Sequence, residues 1–251
     1  MPGPSRYPVA VVSGGEASGR RRGSAVLVHG RWGNPGDWQW VKRLLDNQAV
    51  HVSAPDLPSH RLISAGLAED ANDVRAAIRS CSAPVVVVGW SYGGKVIGLA
   101  AEEESSVIRL IYVADVPMPP GDEADDLSWI QDDPHLIVRD DGMFVLDDDW
   151  WLNEEAGATF PPEVVDHLRR NPRRPISLAT IRPQASTAWR TIPTTVLLGR
   201  DDRLVSDEER RWASDNLTDV RFLESDHFLA FRQPEAISDA VIEARDADSA
   251  R

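Results

Sequence analysis

The sequence predicts an α/β protein, a mostly parallel sheet with helices on both faces and one inserted region. Two observations carry that prediction. From Ala25 to Val113, short β-branched runs alternate with segments whose apolar residues recur at helical spacing. From Thr195 to Ala244 the same alternation resumes. Strands separated by helices pair in parallel, because a crossover returns the chain to the same end of the sheet. Residues 1–116 and 191–251 are therefore expected to form one core, with 117–190 inserted as a cap.

The elements follow in order. The first 25 or so residues read as a loose lead-in with room for one edge strand, Tyr7–Val12, and a solvated turn at Arg20-Arg21-Arg22. Ala25–His29 is the first buried strand. Asp37–Gln48 places Trp38, Val41, Leu44 and Leu45 at helical spacing, and Val50–Ala54 is a strand stopped by Pro55. Ala68–Ser80 reads as a helix. Pro84 then opens Val85–Val88, apolar throughout in the manner of a strand buried on both faces. Gly94–Glu103 is a helix and Val107–Val113 a strand. Within 117–190, prolines and acidic clusters interrupt short helical pieces such as Pro162–Arg170, and no alternation can be traced. Thr195–Leu198, Ser206–Asn216, Val220–Leu223 and Pro234–Ala244 then read as strand, helix, strand and helix.

Length and composition bound the function. The 251 residues suit one large domain, and 42% apolar content argues against disorder. No apolar run approaches the ~18 residues of a membrane span. The first residues, Met1 to Arg6, lack the apolar stretch of a secretory leader, so a cytoplasmic protein is expected. A net charge of −13 repels phosphate backbones and anionic lipid, so neither nucleic acid nor membrane is an expected partner. The single cysteine, Cys81, excludes an internal disulfide and reads as a small apolar residue at a helix end. Asp147-Asp148-Asp149 reads as solvated, since consecutive carboxylates point different ways. No metal or cofactor is expected.

The chemistry centres on Gly89-Trp90-Ser91-Tyr92-Gly93, a G-x-S-x-G pattern between an apolar strand and a helix. A strand that turns at once into a helix lifts the central hydroxyl above the sheet, at the helix N-terminus. Glycine is needed on both sides because a Cβ would meet the other element's backbone. An ordinary turn with Ser91 as N-cap would explain the serine but not both glycines.

A serine hydroxyl needs a base, and on such an elbow the acid and then the base follow in chain order. Asp202 follows the strand ending at Leu198-Gly199, with Asp201 as the alternative acid. His227 follows the strand ending at Leu223. Both lie beyond the carboxyl ends of strands, as Ser91 does. The other five histidines, His29, His51, His60, His135 and His167, lack that combination and read as structural or solvated. An oxyanion needs two N–H donors. Tyr92 is expected to supply one. The loop His29-Gly30-Arg31-Trp32-Gly33 is expected to supply the other, through Arg31 or, second, Trp32.

Together these segments resemble the α/β-hydrolase superfamily over nearly the whole chain. Val28-His29-Gly30 followed by Trp38-Gln39-Trp40, Ala54-Pro55-Asp56-Leu57-Pro58, and Ile192-Pro193-Thr194-Thr195 are similar to a narrower branch, the plant methylesterases and hydroxynitrile lyases with their bacterial relatives. Within that branch the resemblance implies hydrolysis. Family lyases carry Thr in place of Gly30 and Lys directly after the catalytic histidine, where this chain has Phe228. Epoxide hydrolases and haloalkane dehalogenases use Asp where this chain has Ser91. Pro58-Ser59-His60 and Arg31 depart from the family pattern.

The resemblance also implies a lid over the Ser91 edge. The insertion carries Trp129, Trp150, Trp151 and Trp189, and Trp32, Trp90, Trp129, Trp150, Trp151 and Phe228 are the candidate pocket residues. The expected reaction is cleavage of a small or medium ester, thioester or lactone by a monomer or homodimer. A triad-bearing lyase or cyclase and a non-catalytic ligand-binding homologue are the competing readings.

Overall fold

The apolar runs of the sequence form the middle of one parallel sheet. The structure, a computed structural model, describes residues 23–117, 130, 132–182 and 184–250. Tyr7–Val12, Arg20–Arg22 and Trp129 lie outside the described residues. The strands in chain order are β1 (Ser24–Val28), β2 (His51–Ser53), β3 (Val85–Trp90), β4 (Val107–Val113), β5 (Leu136–Val138), β6 (Met143–Leu146), β7 (Ile176–Ser177), β8 (Thr194–Gly199) and β9 (Val220–Leu223). Six of them make the main sheet in the order β2-β1-β3-β4-β8-β9, and every pairing in it is parallel.

Strand alternation divides the core. Ala25, Leu27, Val86 and Val88 face one layer, with Trp38, Val41 and Leu45 from the segment around α1 (Gln39–Asn47) and with Ile237 and Val241 from helix Pro234–Ser249. Val26, Val28, Val85 and Val87 face the other, against α2 (Leu67–Ser80) and α3 (Tyr92–Ala100). Because both faces are covered, the valine run needs no polar alternation.

The order of strands decides where a site can form. Among the described residues β1 lies between β2 on one side and β3 on the other, so the strand order reverses direction between β1 and β3. A crevice opens at the carboxyl ends of the strands flanking such a switch point. Register keeps those ends level: Val28 pairs with Gly89, Trp90 with Val113, and Gly199 with Leu223.

Several boundaries move for local reasons. Pro35 and Gly36 begin a 3-10 turn, Pro35–Trp38, capped by the Asn34 side chain on Gly36 N at 2.8 Å, so the regular helix starts only at Gln39. The C-terminal helix continues to Ser249. Between β4 and β8, β5, β6 and β7 form a separate antiparallel sheet in a stretch where sequence pattern showed no strands. Two-to-four-residue strands leave no period to read. Among the described residues, no helix is long and apolar enough to cross a membrane.

Candidate active site

Ser91 sits between β3 and α3 at φ 53° and ψ −124°, a conformation that costs an L-residue on the order of 1–3 kcal/mol. The surroundings impose it. Ser91 N–H donates to Val113 O at 2.8 Å, and Gly94 N–H donates to Ser91 O at 2.7 Å. A Cβ on Gly89 would lie 2.3 Å from Gly93 O, and one on Gly93 would lie 2.4 Å from Val28 O. Strand, helix and the end of β1 therefore touch only because these positions are glycine. Tyr92 opens α3, and a first-turn amide has no acceptor within its own helix.

His227 and Asp202 meet. Nδ1 of His227 is 2.9 Å from Asp202 Oδ2, and Asp202 Oδ1 accepts from Leu204 N–H at 2.8 Å. Asp202 is buried, whereas Asp201 is exposed. Gly199 permits the meeting, because a Cβ there would lie 2.3 Å from Ser225 O and 2.4 Å from Asp226 O. Arg210 braces the acid loop by donating to the carbonyls of Gly199 at 2.9 Å, Val205 at 3.2 Å and Asp202. The histidine loop is tied to the elbow: Trp90 Nε1 donates to His227 O at 2.9 Å. Asp226 holds the same loop by accepting from Phe228 N at 3.0 Å and Arg232 Nε at 2.9 Å.

The loop after β1 lies against the nucleophile. A Cβ on Gly30 would come within 3.1 Å of Trp90 O and 3.4 Å of Ser91 Cβ. Gly33 N–H donates to Gly30 O at 3.1 Å, closing a turn whose central residues are Arg31 and Trp32, the latter at φ 57°. His29 is buried beneath it. Its Nδ1 donates to Gly30 O at 3.0 Å while Nε2 accepts from Leu57 N–H at 3.3 Å, which selects the tautomer protonated on Nδ1. The Arg31 guanidinium lies 5.4 Å from the Tyr92 ring centroid. The Tyr92 hydroxyl donates to Asp70 at 2.7 Å, and Ser59 supplies Asp70 with an N–H at 2.9 Å and an O–H at 2.6 Å. Burial raises the Asp70 carboxyl above its usual range.

The candidate pocket residues separate into groups. Trp90, Trp151 and Phe228 belong to one aromatic cluster, with Trp151–Phe228 centroids 4.8 Å apart and Phe160 and Phe231 completing it. Trp32 instead packs edge-on against Phe144, and Trp150 stacks on His135 at 4.0 Å. Trp189 pairs with Trp212 at 5.2 Å. Asp147 caps the helical turn that carries Trp150, accepting from Asp149 N at 3.0 Å. Phe160, Phe231, Arg210, Gly199 and the tandem Arg173-Arg174 escaped the sequence reading. No local motif marks the two arginines, yet Arg173 forms a buried fork with Asp37.

A family model described as the alpha/beta hydrolase family matches residues 25–240. Methylesterase 8 of Arabidopsis thaliana is 24% identical over 88% of this chain and 89% of its own. An alpha/beta hydrolase of Aspergillus novofumigatus is 29% identical over 72% and 78%. Among solved structures, tomato methylketone synthase I bound to 2-tridecanone superposes with a TM-score of 0.74 at 17% identity, covering 89% of this chain and 98% of that one. A polyneuridine aldehyde esterase mutant superposes at 0.70 and 17% identity, over 88% and 98%. At such identities these likenesses concern the fold.

Proposed function

The chain belongs to the alpha/beta hydrolase family, and from that premise we propose that it is a serine esterase working through Ser91, His227 and Asp202. The 2.9 Å contact between His227 Nδ1 and Asp202 Oδ2, on a loop tied to the residue before Ser91, carries the reading. Asp202 holds the imidazole so that its other nitrogen serves as base. Ser91 Oγ attacks the ester carbonyl and its proton passes to His227. The carbonyl electron pair becomes an oxyanion, held by the N–H groups of Tyr92 and Arg31. The alcohol leaves with the proton from His227, and water then repeats the sequence on the acyl-enzyme to release the acid.

The substrate class we propose is a small or medium carboxylic ester, thioester or lactone with an apolar portion. Trp90 and Phe228 beside His227, with Trp151 packed on Phe228, support it, as do the methylesterases among the relatives. Residues 117–190 act as the cap. Phe228 sits among aromatic rings where a lyase of this branch would offer a cation, which favours hydrolysis.

The test is labelling of the purified chain by a fluorophosphonate. Wild type reacts and Ser91→Ala does not. Equal labelling of both proteins removes Ser91 from the mechanism.

A further inference from the structure

Trp32 occupies a left-handed conformation, φ 57°, in the turn that presents the Arg31 amide. A bulky L-residue there is strained, so something outside the turn must hold it. Trp32 packs against Phe144, and the hydrogen bonds to the Trp32 and Gly33 carbonyls come from one distant residue. The main-chain N–H of Arg174 donates to Trp32 O at 2.8 Å, and its side-chain Nε donates to Gly33 O at 3.3 Å. The rest of the guanidinium forks onto the Asp56 carboxylate, with Nη1 3.0 Å from Oδ2 and Nη2 on Oδ1. Asp56 follows β2, so Arg174 joins the segment between β4 and β8 to two loops at the carboxyl edge of the sheet.

We propose that Arg174 is a positioning residue for the oxyanion loop. Its main-chain N–H holds the Trp32 carbonyl and its guanidinium holds the Gly33 carbonyl, and together they set the direction of the Arg31 N–H. The inference rests on the serine-esterase reading above. The Trp32 carbonyl shares a rigid peptide plane with the Gly33 N–H, which donates to Gly30 O at 3.1 Å. Gly30 O shares its own plane with the Arg31 N–H, so a grip on Trp32 and Gly33 reaches the Arg31 amide. An oxyanion donor that drifts by an ångström loses most of its contribution, and losing a donor outright costs about 10²–10³ in kcat. Arg173 braces the neighbouring segment through Asp37, but both side chains are buried, and removing either leaves an uncompensated charge. Arg174 and Asp56 are partly exposed, so their variants are the ones that keep the fold.

The experiment uses p-nitrophenyl butyrate as substrate and an alkyl trifluoromethyl ketone as inhibitor. The ketone carbon accepts Ser91 Oγ, its oxygen becomes the oxyanion, and the serine proton moves to His227. Arg174→Ala keeps the main-chain bond to Trp32 O but withdraws the guanidinium from Gly33 O and Asp56, and is expected to lower kcat about 10–100-fold with KM within about threefold. Affinity for the ketone should fall by a similar factor. Arg174→Lys, which can reach Asp56 or Gly33 but not fork both, should recover part of each loss, and Asp56→Asn should fall between wild type and Arg174→Ala. All are read well below their unfolding midpoints. Should Arg174→Ala fail to fold, Arg174→Lys and Asp56→Asn decide by the same two readouts. Wild-type kcat and ketone affinity in the folded variants overturn the positioning role while leaving the esterase reading intact. Undiminished hydrolysis by Ser91→Ala overturns the esterase reading itself.

Discussion

The indole N–H of Trp90 donates to the main-chain carbonyl of His227 at 2.9 Å. The residue before the proposed nucleophile thus holds the residue proposed as its base, although 137 positions separate them. Trp90→Phe keeps much of the buried ring and removes the bond. Stability should fall by about 1 kcal/mol, the usual net worth of one hydrogen bond. The kcat for an activated ester should fall about tenfold, because the histidine loop gains freedom to drift. Urea unfolding and steady-state kinetics on the same preparations check both, and an unchanged kcat would separate the bond from catalysis.

Asp201 and Asp202 offer an internal control. Asp202→Asn keeps the shape but lets the side chain present an N–H to His227 Nδ1, favouring the wrong tautomer, and kcat should drop by roughly 10³–10⁴. Asp201 is exposed, and Asp201→Asn should stay within about twofold of wild type. Comparable losses in the two variants would mean that the carboxylate acts through charge alone.

What was legible in the sequence followed the range of the interactions. The elbow could be read because its pattern lies within five consecutive residues, Gly89 to Gly93, although the backbone that Gly93 accommodates belongs to Val28 and His29. Chain order singled out Asp202 and His227, but preferring Asp202 to Asp201 on physical grounds required knowing which side chain is buried. Arg174, Arg210 and Gly199 act across loops that meet only in the folded chain. Arg174 Nε and its acceptor Gly33 O are 141 positions apart, and no local pattern records such a contact. The pocket reading suffered similarly: tryptophan content pointed to a lid, while contacts placed Trp32, Trp150 and Trp189 in three different settings.

Two glycines separate steric from conformational demand. Gly93 has backbone carbonyls of Val28 and His29 at 2.4 Å and 2.8 Å from any added Cβ. Backbone cannot swing aside, so Gly93→Ala should force β1 and α3 apart and cost more than about 3 kcal/mol, toward the exceptional end for a point substitution. Gly142, at φ +80°, has nothing within 4 Å of an added Cβ. Gly142→Ala should therefore cost only the left-handed penalty, about 1–2 kcal/mol. Thermal or urea unfolding ranks the pair, and a larger loss at Gly142 would contradict the close approach of strand and helix.

The pH dependence of stability should carry the mark of His60. Its ring is buried, packs against His29 with centroids 4.6 Å apart, and has Nδ1 3.2 Å from Ser59 Oγ. Burial holds its pKa well below the ordinary imidazole value. An unfolded chain takes up a proton at His60 near pH ~6.5 that the folded chain refuses until far lower pH. The contribution to stability is thus complete above that value and is lost as pH falls below it, with a limiting slope of about 1.4 kcal/mol per pH unit. Asp70, with its carboxyl raised, works in the opposite sense at lower pH, and does so equally in both proteins compared. Urea midpoints at pH 7.5, 6.5 and 5.5 for wild type and His60→Gln separate the two effects. Wild type should lose about 1 kcal/mol more than the variant between pH 6.5 and 5.5. Parallel profiles would mean that folded His60 takes up its proton as readily as the unfolded chain does.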